Sequence, residues 1–68
     1  MTLIGKRISV KWTQLEVKGW HQGMIVAHEG HGEFWVKYDD VYNEMGTTYF
    51  LECLLFGQPP QWKFLERN

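Results

Sequence analysis

Polar and apolar residues alternate in two six-residue segments, residues 7–12 (RISVKW) and 33–38 (EFWVKY). Successive side chains of a strand point to opposite faces of a sheet, so this spacing predicts β-strands with one buried face. In the second segment Phe34, Val36 and Tyr38 share a face, and Tyr38 stands where the strand meets an acidic turn. A chain with this pattern folds by pairing short strands rather than by packing helices.

The rest of the chain predicts two or three further strands, and Gly23 interrupts the first of them, where a missing side chain permits strong twist. Glycines in EGHG predict a hairpin turn, and the segment TTYFLECLLF is expected to begin as a strand and close with a helical turn before Gly57. The expected elements are strands over 7–12, 20–28, 33–38, the start of 47–56, and 61–65, with a loop over 13–19 and turns over 29–32 and 39–46.

Four or five short strands without a long amphipathic helix predict an all-β fold, a small, strongly bent antiparallel barrel. The chain of 68 residues suffices for one domain, residues 1–68. Four Trp, four Phe and three Tyr are a heavy aromatic load, and most of these rings must fill the core. The residues expected in the core are Ile8, Val10, Ile25, Phe34 and Val36.

Composition narrows the setting and the chemistry. The single cysteine, Cys53, cannot form an internal disulfide, which favours a reducing, intracellular compartment. No run approaches the roughly 20 apolar residues of a membrane span, so the protein is expected to be soluble. His28 and His31 are three residues apart in a glycine-rich turn, whereas zinc-protease histidines are four apart on a helix. We therefore expect no metal. The sequence also offers Cys53 no orienting group for nucleophilic catalysis, and it has neither a glycine-rich phosphate loop nor paired carboxylates, so we expect no cofactor and no enzymatic activity.

Three segments in order, LIGKRISVKW, GWHQGMIV and WVKYDD, resemble Tudor domains, most closely the Tudor-like and Agenet-like modules of chromatin proteins. The resemblance covers about residues 3–55 and leaves 58–68 as a C-terminal strand or tail. It implies an SH3-like barrel with an aromatic cage for a methylated lysine or arginine. The chain departs from the family pattern at His21, where a tyrosine is common, and at Val41, where a glycine is common. The cage positions implied by the resemblance fall on Trp12, Trp20 or His21, Tyr38 and Tyr42, with Asn43 or Asp40 as polar partner. Independently of the resemblance, Asp39 or Asp40 beside Tyr38 is expected to add charge complementarity for a cation.

Strand geometry supports a cluster of rings independently of the resemblance. The end of the first strand, the start of the second and the end of the third lie at one edge of an antiparallel meander. Trp12, Trp20 or His21, and Tyr38 occupy these positions. Ring faces attract cations, and a neighbouring carboxylate adds charge complementarity. The alternative is a purely structural role, in which these rings belong to the core and Asp39 and Asp40 only form a turn.

The leading functional hypothesis is a reader of methylated lysine, or less favourably methylated arginine, on histone or other nuclear protein tails. Two alternatives stay open. One is a nucleic-acid binder that uses basic residues of the first quarter with Trp35 as a stacking platform; those residues are Lys6, Arg7, Lys11 and Lys18. The other is a protein interaction or dimerisation module without a cage, which binds through Trp35, Trp62 and Phe64.

Overall fold

In the described part of the chain, the fold is a single antiparallel sheet of five strands. The structure, a computed structural model, describes residues 2–65. One 3-10 turn, Leu15–Val17, is the only helical segment in that range, and it is too short to cross a membrane. The strands are β1 (Arg7–Trp12), β2 (Gly19–Gly30), β3 (Glu33–Tyr38), β4 (Tyr49–Cys53) and β5 (Trp62–Phe64).

The strand order is β4-β3-β2-β1-β5, and every neighbouring pair is antiparallel. The sheet bends so strongly that the Trp12 ring of β1 contacts the Phe50 ring of β4, although two strands lie between them in the sheet. The predicted all-β class, antiparallel pairing and strong bend are confirmed.

The core lies on the concave face of this bent sheet. All five residues expected in the core are buried, and Val41, at a position where the resembling family commonly has glycine, is buried with them. Gly23 lies in the middle of β2 directly against β3, where an added Cβ would fall 2.7 Å from the Lys37 carbonyl oxygen. The buried set is Ile8, Val10, Ile25, Phe34, Val36, Tyr38, Val41, Leu54 and Trp62.

Two predicted elements differ from the structure. Strand β2 runs to Gly30, and the hairpin turn shrinks to His31 and Gly32, whose φ angles of 53° and 78° suit a tight two-residue turn. The expected helical turn at the end of 47–56 is absent from the described chain. The Leu54 N–H donates to the Gly32 carbonyl at 2.9 Å. A helical turn would need this N–H for a bond within the turn, but here it is bonded to the hairpin between β2 and β3.

Candidate functional site

Four rings meet at one end of the sheet. Trp12 lies at the end of β1, His21 near the start of β2 and Tyr38 at the end of β3, as the meander argument predicted. Their ring centroids are 5.2 Å apart for Trp12 and Tyr38 and 5.6 Å apart for Trp12 and His21. Phe50 of β4, which the sequence reasoning missed, contacts Trp12 at 4.9 Å and Tyr38 at 5.5 Å.

The Trp12 ring contacts the other three rings edge to face, and Phe50 also contacts Tyr38, at distances usual for packed aromatic pairs. Tyr38 is 2% exposed, so its ring belongs to the core rather than to an open wall. A cation at this end of the sheet must therefore bind beside the cluster.

A polar chain links the cluster to a carboxylate. The Trp12 indole Nε1–H donates to the Tyr38 hydroxyl at 3.0 Å, and that hydroxyl donates to Glu52 Oε2 at 2.5 Å. Glu52 follows Phe50 by two residues on β4, so both side chains lie on the inward face. Burial raises the pKa of the Glu52 carboxyl, an effect that the bond from Tyr38 partly offsets. Burial and the same bond raise the pKa of the Tyr38 hydroxyl, which stays protonated and donating at neutral pH.

Beside the cluster is a hollow of about 370 Å³ that lies between the end of β1 and the edge strand β4. We call it the β1–β4 hollow. Trp12, Phe50 and Glu52 combine two rings with one partly buried carboxylate, a composition suited to a cationic side chain. Its lining residues are Val10, Lys11, Trp12, Thr13, Gln14, Phe50, Leu51, Glu52 and Pro60.

Two rings expected in the cage lie elsewhere. Trp20 pairs with Lys11 across β1 and β2 and is 46% exposed on the outer face of the sheet. Tyr42 is 67% exposed in the loop after β3 and makes no ring contact within residues 2–65. The inward positions of β2 are Gly23 and Ile25, so the two-residue period assigns His21 to the inner face and Trp20 to the outer one.

The expected acidic partners have other contacts. Both Asp39 oxygens accept bonds from the Arg7 guanidinium, at 2.6 and 3.0 Å, which lowers the pKa of the Asp39 carboxyl. Asp40 approaches His21 Nδ1 at 3.5 Å, while the His21 Nε2–H donates to the Val17 carbonyl at 2.6 Å. Of the two aspartates, only Asp40 therefore stays near the ring cluster.

Asn43 organises its own loop. Its Nδ2 donates to Thr47 Oγ1 and to the Tyr49 carbonyl, at 2.7 and 2.9 Å, and its Oδ1 accepts from the backbone N–H groups of Met45 and Thr47. These bonds hold the loop that leads into β4. The side chain is thus committed to structure rather than directed at the ring cluster.

A second surface surrounds Trp20 on the outer face of the sheet. Lys63 Nζ lies 4.8 Å from the Trp20 ring centroid, and Phe56 stacks on Trp62 at 4.5 Å. These rings line a hollow of about 510 Å³ together with residues 57–61. We call this region the Trp20 surface.

No group of three or more potential metal ligands occurs within residues 2–65. Comparisons of the chain with protein-family models, curated proteins and solved structures give no match, so the resemblance to Tudor domains stands on the three sequence segments alone.

Proposed function

We propose that this domain binds the side chain of a methylated lysine, and less well that of a methylated arginine, in the β1–β4 hollow. The observation that carries the proposal is Glu52, a carboxylate partly buried beside the Trp12 and Phe50 rings. Buried carboxylates are rare without a paired cation, and none is bonded to Glu52 within residues 2–65. The resemblance to Tudor domains names histone or other nuclear protein tails as the source of the lysine, and the nucleus as its location.

The site differs from an enclosed cage in what it selects. A carboxylate accepts the N–H that monomethyl- and dimethyl-lysine retain and that trimethyl-lysine lacks. The rings add cation–π attraction of about 0.5–2 kcal/mol for each good contact. Because one side chain in a shallow hollow buries little area, we expect a Kd that is micromolar or weaker.

Titration of isotope-labelled protein with lysine peptides in four methylation states tests this proposal. We expect dimethyl- and monomethyl-lysine to bind more tightly than trimethyl-lysine, with shifts at the Trp12 indole N–H and at the Phe50 and Glu52 amides. Trp20→Ala is the matched control, because it removes an exposed indole on the opposite face and should leave the affinity unchanged. Shifts absent from Trp12, Phe50 and Glu52 with every peptide would contradict the proposal.

The Trp20 surface supports a second candidate, binding of single-stranded nucleic acid. Lys11 and Lys63 flank an exposed indole there, which combines phosphate attraction with a stacking face. Trp35 is less suited than the sequence suggested, because the Glu29 carboxylate, which accepts a bond from its indole N–H at 3.2 Å, places a negative charge beside the ring that repels phosphates. Trp62, expected on an exposed interaction surface, is buried.

Two neutralised phosphates predict an affinity for a single-stranded oligonucleotide that falls about sevenfold between about 50 and 200 mM salt. Fluorescence titration at the two salt concentrations measures this change, with Trp20→Ala expected to abolish binding and Trp12→Phe to preserve it. Binding that is absent or independent of salt would remove this candidate.

A further inference from the structure

Strand β4 has an open side. In an antiparallel ladder, alternate residues direct both their N–H and C=O groups to the same neighbour. The Tyr38 N–H donates to the Thr48 carbonyl and the Leu54 N–H to the Gly32 carbonyl, both at 2.9 Å, so even-numbered residues of this segment face β3. Tyr49, Leu51 and Cys53 therefore direct their backbone groups away from the sheet.

Most of these outward backbone groups have no hydrogen-bond partner in the part of the chain that the structure describes. Within residues 2–65, β4 ends the strand order and pairs with β3 alone, and the Tyr49 carbonyl accepts a bond from Asn43 Nδ2. The N–H and C=O groups of Leu51 and Cys53 have no partner among residues 2–65. They are spaced as an incoming extended strand requires.

The two edges of the sheet differ in protection. Natural proteins guard edge strands with charge, proline, bulges or short length. Strand β5 has three residues, carries Lys63 on its outer face and follows Pro59 and Pro60. Strand β4 has neither a proline nor an outward charge, and its outward side chains Tyr49 and Leu51 are 45% and 42% exposed. An edge of this kind is a template for another strand.

The open edge also borders the β1–β4 hollow, since residues Phe50, Leu51 and Glu52 line it. We propose that the ligand is an extended peptide that adds to β4 as a sixth strand and places its lysine side chain beside Glu52. This inference rests on the proposed function and defines how the peptide backbone is held. Backbone pairing supplies affinity without sequence dependence, and the Glu52 carboxylate supplies the charge complementarity that selects a cation.

The geometry specifies the peptide further. When the peptide runs antiparallel to β4, like every strand pair of the sheet, its residue opposite Leu51 exchanges both backbone hydrogen bonds with Leu51 and shares the outer face, next to Tyr49. The lysine is then the neighbour of that residue, on the inner face. Apolar or β-branched residues flanking the lysine therefore fit this edge best.

The probe is a peptide of about eight residues, a usual strand length, with dimethyl-lysine between two valines. Methylation of the backbone nitrogen of the flanking valine opposite Leu51 removes one bond and should lower affinity about three- to tenfold. With the lysine opposite Glu52, the other valine lies opposite Cys53, whose backbone groups also point outward, so each valine is tested singly and each N-methylation is expected to weaken binding. Methylation of the lysine backbone nitrogen is the matched control, because that N–H points away from β4 and its removal should change affinity less than about twofold.

Leu51→Pro tests the reciprocal bond, in which the Leu51 N–H donates to the carbonyl of the peptide residue opposite it. Proline is tolerated where an edge-strand N–H faces outward, so the β3–β4 ladder stays intact. We expect Leu51→Pro to lose affinity about three- to tenfold and Leu51→Ala, which keeps the N–H, to lose less than about threefold. Circular dichroism verifies the fold, and if Leu51→Pro does not fold, the N-methylated peptides decide.

Amide hydrogen exchange of the unmodified protein separates the two proposals. Peptide binding should slow exchange at the Leu51 and Cys53 amides by about tenfold. Binding that shifts Trp12 and Phe50 without slowing exchange, and that tolerates N-methylation of either valine, overturns the added strand but preserves the proposed function. A peptide that shifts none of these resonances overturns both. Protection of Leu51 that appears without peptide and rises with protein concentration would show that a second copy takes the edge, which also overturns this inference.

Discussion

Replacing Gly23 by alanine is expected to lower the free energy of unfolding by about 1–3 kcal/mol, the usual penalty for overpacking a filled core. An added Cβ would fall 2.7 Å from the Lys37 carbonyl oxygen and 2.9 Å from Val36 Cγ1, closer than such atoms approach without movement. The first neighbour is backbone in a paired strand, so relief requires β2 and β3 to separate. Urea denaturation of both proteins measures the change.

This loss matters because the domain is small. At the usual stability per residue, 68 residues correspond to about 3–10 kcal/mol in total. Gln22→Ala is the matched control, since Gln22 is the exposed neighbour on the opposite face of β2 and its replacement should change stability by about 0.5 kcal/mol or less. Equal unfolding midpoints for Gly23→Ala and Gln22→Ala would contradict the close approach of the two strands.

The sequence predicted the strands well where the two-residue period was clear. Strands β1 and β3 coincide with the predicted segments 7–12 and 33–38, and the residues that alternate there form the core. Strand β2 was predicted too short because its glycines suggested breaks. In the structure the bulges near Ala27 and Gly30 absorb the irregularity, so pairing continues to the turn.

The ring cluster was only partly predictable. Trp12 and Tyr38 were predicted because they lie at the ends of strands. Every second residue of β2 points inward, and counting back from Ile25 through Gly23 reaches His21 rather than Trp20. Phe50 depends on how far the sheet bends, because β1 and β4 are not neighbours in it. The sequence predicted that the sheet bends strongly, but no local pattern fixes which residues of strands three places apart then come into contact.

Glu52 carried a signal that the sequence reasoning passed over. Phe50, Glu52 and Leu54 share one face of the fourth strand, which places a carboxylate among inward-facing apolar residues. A polar residue at a core position is unfavourable for folding unless it is paired, so it points to a functional role. The expected acidic partner, Asp39, was selected for its position beside Tyr38, but it faces Arg7 instead.

Replacing Glu52 by glutamine is expected to weaken binding of a dimethyl-lysine peptide by about tenfold or more, the effect of losing a charge-assisted hydrogen bond. Glutamine keeps the shape and an oxygen that can accept the Tyr38 hydroxyl, so the ring cluster should stay in place. Asp39→Asn is the matched control: it also neutralises one carboxylate, but one held by Arg7, and should leave the affinity unchanged. Isothermal titration calorimetry compares the three proteins.

The same substitution should not destabilise the fold at neutral pH. Burial raises the pKa of Glu52 in the folded protein above its unfolded value of about 4.3, so in the window above that value the folded chain holds a proton that the unfolded chain has released. The contribution of Glu52 to the free energy of unfolding therefore decreases as pH rises through this window and is lost above the folded pKa. Glu52→Gln does not titrate, so its stability relative to the native protein should rise from acidic to neutral pH.

Urea denaturation of both proteins between about pH 4 and 8 measures the difference, and a difference that is constant with pH would contradict a buried carboxylate. Lower affinity together with equal or greater stability at pH 7 would indicate that Glu52 is present for binding, because a structural carboxylate would lose both together.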